Sequence, residues 1–167
     1  MIVKCLLLLT VAGGLFAQDP QNWGQWQFLV GDWVGEGTGQ PGNGTGAFSF
    51  QLELDGRVLV RKNRADYPAT KDKPAYSHQD LMVVYPRFPN YRAVYFDNEG
   101  HVIDYTTEFI VESGGVVFTS AVKPGEPHFR LTYTKLSPDQ VGIRFEIAPP
   151  GKPDAFSPYI QATARRK

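Results

Sequence analysis

The chain has 167 residues, 17 basic and 17 acidic side chains, 13% aromatic residues and a single cysteine, Cys5. That length fits one domain with a core of useful size. Balanced charge argues against nucleic acid or an anionic membrane as the main partner, since both select a strong positive excess. One cysteine excludes a disulfide framework within the chain.

The first element in chain order is a leader. Lys4 forms a short basic start, residues 5–16 are an apolar run, and Ala17 offers a small residue for cleavage. Twelve apolar residues fall short of the roughly 20 that cross a bilayer as a helix. Residues 1–17 are therefore predicted to be a secretory signal peptide. Residues 18–167 are then one exported domain, periplasmic or secreted, with no membrane span. Cleavage would remove Cys5, and with it any thiol nucleophile or thiolate metal site.

Residues 19–30 carry Trp23, Trp26, Phe28 and Leu29, a spacing that suits one or two helical turns with one apolar side. From Trp33 onward about ten short runs show period-two alternation between turn signals. Phe48, Phe50, Leu52 and Leu54 alternate with Ala47, Ser49, Gln51 and Glu53, and Asp55-Gly56 marks a hairpin turn. Further strands are predicted over 57–66, 78–85, 91–96, 102–111, 116–122, 128–136, 141–147 and 156–165. Short links imply antiparallel neighbours; the exception, residues 67–76, reads as a mobile lid or rim loop. Ten meandering strands avoid long exposed edges by closing. The predicted fold is all-β, a closed antiparallel up-and-down barrel of about ten strands with a short N-terminal helical plug. Barrels of this size commonly enclose a cavity for one small ligand.

Leu29-Val30-Gly31-Asp32-Trp33-Val34-Gly35-Glu36-Gly37, followed by these strands, resembles the opening of calycin-type barrels: lipocalins, fatty-acid-binding proteins, nitrobindin-like haem barrels and bacterial lipocalin-like families. It is most similar to the last two groups. The resemblance implies a barrel closed by Gly31, Trp33 and Gly35 around an amphiphilic or hydrophobic small molecule. It also implies two alternatives, a haem-binding barrel and a barrel that holds a carboxylate with interior arginine and tyrosine. Nitrobindin-like barrels ligate haem through a histidine near the last strands. This chain has no histidine after His128, so the candidates for iron are His78, His101 and Tyr159.

Residues 37–42, Gly-Thr-Gly-Gln-Pro-Gly, satisfy a nucleotide-loop pattern but precede a strand rather than a helix, so they read as a hairpin loop. Asn43-Gly44-Thr45 on the same loop is a formal glycosylation sequon. His78 and Asp80, two apart on a strand, share a face and offer a polar ligand contact or an acid–base pair for an isomerase or cyclase. A metal site would need a third ligand that nothing nearby supplies, and no metal is expected. His101 follows a turn and His128 opens a strand. Across the turn at 137–139, Arg130 is predicted opposite Glu146 and Thr132 opposite Arg144. These are either an interior clamp for a carboxylate or an outward ion pair. Tyrosines at 91, 95, 105, 133 and 159 suit a cavity for amphiphiles. The candidate ligand-binding set is Arg61, His78, Asp80, Tyr95, Tyr105, Arg130, Arg144 and Tyr159. No Ser-His-Asp or paired-carboxylate arrangement is legible, so no catalytic residue is assigned and the reading leans away from an enzyme.

Overall fold

The computed structural model describes residues 22–36 and 44–167. The predicted leader, the glycine loop at 37–42 and Asn43 of the sequon lie outside the described residues. Ten strands follow in order: β1 (Gly31–Glu36), β2 (Thr45–Glu53), β3 (Val58–Tyr67), β4 (Tyr76–Arg87), β5 (Asn90–Asp97), β6 (Val102–Ile110), β7 (Gly115–Ser120), β8 (His128–Ser137), β9 (Gln140–Ala148) and β10 (Ser157–Arg166). Each pairs with its sequence neighbours in antiparallel fashion, and β1 pairs with β10, so the sheet closes. The expected closed meander is the observed fold. No helix among the described residues is long and apolar enough to cross a membrane.

Alternation sets the two faces of the wall. Phe48 and Phe50 of β2, Leu59 of β3, and Met82 and Val84 of β4 point inward and are sealed or nearly so. In the β8–β9 pairing Arg130 faces Glu146 and Thr132 faces Arg144, as expected. A two-residue turn joins Ser137 to Gln140, and a register shift between Lys135 and Ser137 moves the pairing beyond it by one residue.

The N-terminal segment departs from expectation. In place of one or two α-helical turns, residues 22–29 contain a single 3-10 turn, Gly24–Trp26. Its bonds run three residues back, Trp26 N–H to Trp23 O at 2.9 Å and Leu29 N–H to Trp26 O at 2.9 Å. A period of three puts Trp23, Trp26 and Leu29 on one side, and all three are buried in the end of the barrel. Trp26 lies 5.0 Å from Phe109, 5.3 Å from Tyr91 and 5.8 Å from Phe118, ring centre to ring centre. Trp33 donates to Leu29 O at 2.8 Å and stacks on Phe48. Arg166 from the last strand donates to Val30 O at 2.6 Å, with its guanidinium 4.3 Å from the Trp33 ring centre. Trp33 and Gly35 sit on the seam, opposite Arg166 and Ala164 of β10, and Gly31 adopts φ +129° beside the Arg166 side chain.

Candidate functional site

The barrel interior is sealed at the plugged end and opens progressively toward the other. The same gradient runs along five strands. On β3 it goes from Leu59 (0% exposed) through Arg61 (8%) to half-buried Asn63, and on β4 from sealed Met82 through Asp80 (9%) to half-buried His78. On β2, Phe50 is sealed, Phe48 nearly so, and Gly46 half-buried. On β8, Tyr133 and Leu131 are buried and Phe129 half-buried; on β9, Val141 is sealed while Ile143, Phe145 and Ile147 are half-buried. Inward-facing side chains that solvent still touches define a cup, with Phe48, Arg61, Asp80 and Leu131 at its floor.

The cup has two unlike walls. β3, β4 and β5 contribute Asn63, His78, Asp80, Tyr95 and Asp97. β8 and β9, across the ring of strands, contribute Phe129, Leu131, Ile143 and Phe145. At the floor, Arg61 Nη1 meets Asp80 Oδ1 at 2.5 Å, and Asn63 Nδ2 donates to Asp80 Oδ2 at 2.8 Å. Above them, the His78 ring nitrogen Nε2 lies 3.1 Å from Tyr95 Oη and 3.4 Å from Asp80 Oδ2, while Nδ1 lies 2.9 Å from Glu99 Oε1. Tyr95 donates to Asp97 Oδ2 at 3.2 Å, and Asp97 also holds His101 Nδ1 at 2.8 Å. Tyr105 lies edge-on to Tyr95 with ring centres 6.5 Å apart.

Protonation follows from these contacts. The hydrogen bond to Asp80, working against burial and helped by Glu99, raises His78 to about 9, so the imidazole is cationic at neutral pH. Burial pushes the Asp80 carboxyl up, but Arg61 and the bonds from His78 and Asn63 outweigh it and hold the group below its ordinary range. Burial opposes the Arg61 charge, and Asp80 beside it more than restores it. Burial is the main cause that raises the phenols of Tyr95 and Tyr105, and it pushes Tyr133 up to about 12. The wall therefore presents neutral phenols around two internally compensated charge pairs.

Arg61, His78, Asp80, Tyr95 and Tyr105 of the sequence-derived set come together in this cluster. Arg130 and Arg144 do not: Leu131 and Phe145 take the inward positions, so both arginines project from the outer wall. The interior-clamp reading is corrected accordingly. There they flank Glu146, Arg130 Nε at 2.7 Å and Arg144 Nη2 at 2.9 Å, and Arg130 lies 4.1 Å from the Phe156 ring centre. Tyr159 sits at the register shift in β10, against Phe145 near the mouth. His128 faces outward, with both ring nitrogens 2.9 Å from carbonyl oxygens, those of Pro153 and Ser120. The rim itself carries Tyr67 stacked on Tyr76 at 4.6 Å, so β3 and β4 extend to this pair and the connecting loop is 68–75.

Sequence reasoning missed Asn63, Asp97 and Glu99, and named Tyr133 only among the strand tyrosines. Asn63 shares parity with Leu59 and Arg61, a signal that was available. Asp97 ends β5 and Glu99 lies in the turn after it; only the β4–β5 register sets Asp97 opposite Asp80 and brings Glu99 to His78. Three buried polar atoms, Trp26 Nε1, Arg61 Nε and Tyr133 Oη, have no hydrogen-bond partner among the described residues. Two shallow concavities on the outer surface are separate from the cup: about 370 Å³ beside Tyr85, Arg92 and Asp104, and about 460 Å³ beside Asn90, Thr106 and Glu108.

No protein-family model matches the chain, and no curated protein matches it.

Proposed function

We propose that this chain is an exported binding protein that holds one small amphiphilic molecule in the open half of a calycin-like barrel. The observation that carries the reading is the gradient of accessibility along β2, β3, β4, β8 and β9: a plugged, dry end beneath a cup that solvent enters. Ligand sites combine a mainly apolar lining with a few placed polar groups, and the facing walls supply both. Phe129, Ile143 and Phe145 would take the apolar face of the ligand. Asn63, His78 and Tyr95 would take its polar edge, with the Arg61–Asp80 pair as a fixed floor. Export rests on the composition of residues 1–17, and the calycin-like assignment on the Gly-x-Trp opening and the closed ten-strand wall.

The haem alternative does not fit these residues. His78 has both ring nitrogens engaged, by Glu99 on one side and by Tyr95 and Asp80 on the other. His101 is turned to Asp97, and Tyr159 lies 44% exposed at the mouth. The isomerase or cyclase alternative asks His78 and Asp80 to act as an acid–base pair, whereas Arg61 and Asn63 already occupy both Asp80 carboxylate oxygens.

Native mass spectrometry of the protein isolated from its own source tests the proposal. The expected spectrum shows one extra mass of a few hundred daltons, released when the chain is unfolded. An unliganded mass alone, persisting after incubation with a lipid and metabolite extract of that source, would contradict it.

A further inference from the structure

We propose that the floor of the cup is a subsite for an uncharged carbonyl oxygen, held between Arg61 and Tyr133, so that the ligand enters carbonyl end first; this rests on the cup being the ligand site proposed above. Arg61 Nε and Tyr133 Oη are two of the three buried polar atoms that lack a hydrogen-bond partner among the described residues, and the third, Trp26 Nε1, belongs to the plug. Leaving a buried donor unpaired is costly, and a ligand atom that pairs it recovers that cost as affinity.

Topology puts both atoms where the leading end of a ligand arrives. β3 and β8 stand opposite each other in the ring of ten strands, so Arg61 and Tyr133 approach from opposite sides of the barrel. The guanidinium carbon of Arg61 lies 6.0 Å from the Tyr133 ring centre and 5.7 Å from that of Phe48. Solvent in the cup still touches Arg61, Phe48 and Leu131. Tyr133 is the next inward residue below Leu131 on β8, so Leu131 is the side chain that swings aside for the ligand.

The numbers of donors and acceptors select the group. A guanidinium only donates, and Arg61 Nη1 is already committed to Asp80. Arg61 is near enough to pull the Tyr133 phenol down against burial, yet the two side chains are not hydrogen-bonded. A direct bond from Nε to the phenol oxygen would still leave the phenol hydrogen without an acceptor. The two lone pairs of a single carbonyl oxygen receive both hydrogens. An alcohol oxygen at the same point always leaves one hydrogen over, its own or that of Tyr133. A carboxylate adds a negative charge beside Asp80, whose charge Arg61 already balances, and so leaves one buried charge uncompensated.

Displacement of bound phenylnaphthylamine at neutral pH by methyl octyl ketone, by its secondary alcohol and by decanoate tests this. The ketone is expected to displace the dye at about tenfold lower concentration than the alcohol, and decanoate to be weaker still. Tyr133→Phe keeps the ring and removes one donor. It is expected to weaken the ketone about tenfold, with circular dichroism confirming that its strands are kept. The infrared carbonyl stretch of the bound ketone reports the contact itself. It is expected below its frequency in hexane, and to move part of the way back in Tyr133→Phe. Three results would each overturn the subsite while the dye still shows the cup to be occupied: equal potency of ketone and alcohol, decanoate as the strongest of the three, or a carbonyl stretch that Tyr133→Phe leaves in place. No saturable binding of the dye would overturn the cup itself, and the subsite with it.

Discussion

At the scale of the residue, the Arg61–Asp80 pair illustrates how a charged floor survives beneath an apolar wall. Both groups are more than nine-tenths buried, and each would be costly alone; together, with Asn63 bonding the second carboxylate oxygen, they form a compensated unit. His78 is a third member, and its protonation is linked to folding. Its pKa is about 9 in the fold against an ordinary value of 6.5. Its stabilising contribution is thus complete below about pH 6.5 and is lost as the pH rises through about 9. The expected loss is about 2–3 kcal/mol, measured by urea unfolding across that range, and a His78→Gln variant should flatten this limb of the profile. A profile that stays level in the unaltered protein would show that His78 is not held protonated. The sequence made half of this cluster legible. Parity put His78 and Asp80 on one face, but Arg61 joins them through the β3–β4 register, which the long 68–75 connection leaves open. Arg130 and Glu146 could be paired in advance because Ser137-Pro138-Asp139 marks the turn, and a pairing centred on it gives the register that the shift beside Ser137 produces.

At the scale of the element, small residues decide how closely the strands and plug approach. Gly115 opens β7, and a Cβ there would lie 2.6 Å from the Tyr133 carbonyl oxygen on β8. The clash is with backbone, so it can be relieved only by spreading the two strands. Gly115→Ala should destabilise the fold by about 2 kcal/mol. Gly46→Ala, whose new atom meets nothing closer than 3.8 Å, should change stability by about 0.5 kcal/mol or less. Equal midpoints in urea for the two variants would refute the close-approach explanation. In the sequence Gly114-Gly115 reads simply as a turn. Gly114, at φ +61°, is indeed the turn residue, but the role of Gly115 depends on a neighbouring strand some twenty residues on. The plug shows the same limit. Trp23, Trp26 and Leu29 were recognisable as one apolar side, but both 3-10 and α-helical turns satisfy that spacing, and packing inside the barrel end selects the tighter one.

At the scale of the whole molecule, closure converts a run of ordinary alternating strands into a vessel with unequal ends. The closed wall was legible because ten runs with short links have few other ways to satisfy their edges. The division into a polar wall and an apolar wall was not, since it depends on which strands stand opposite one another across the ring. That division gives the molecule its most distinctive property: an interior that offers hydrogen bonds on one side and aromatic and aliphatic surface on the other. The most direct test is a fluorescence titration with the neutral amphiphile phenylnaphthylamine, comparing the unaltered protein with Ala162→Trp. Ala162 lies opposite Ile143, half-buried on the inward face of β10, so the new indole would occupy the cup without replacing any buried side chain. Saturable one-to-one binding that the variant loses, with its strand content intact, is the expected result. No saturable binding by the unaltered protein, or the same binding in Ala162→Trp, would contradict a ligand site inside the barrel.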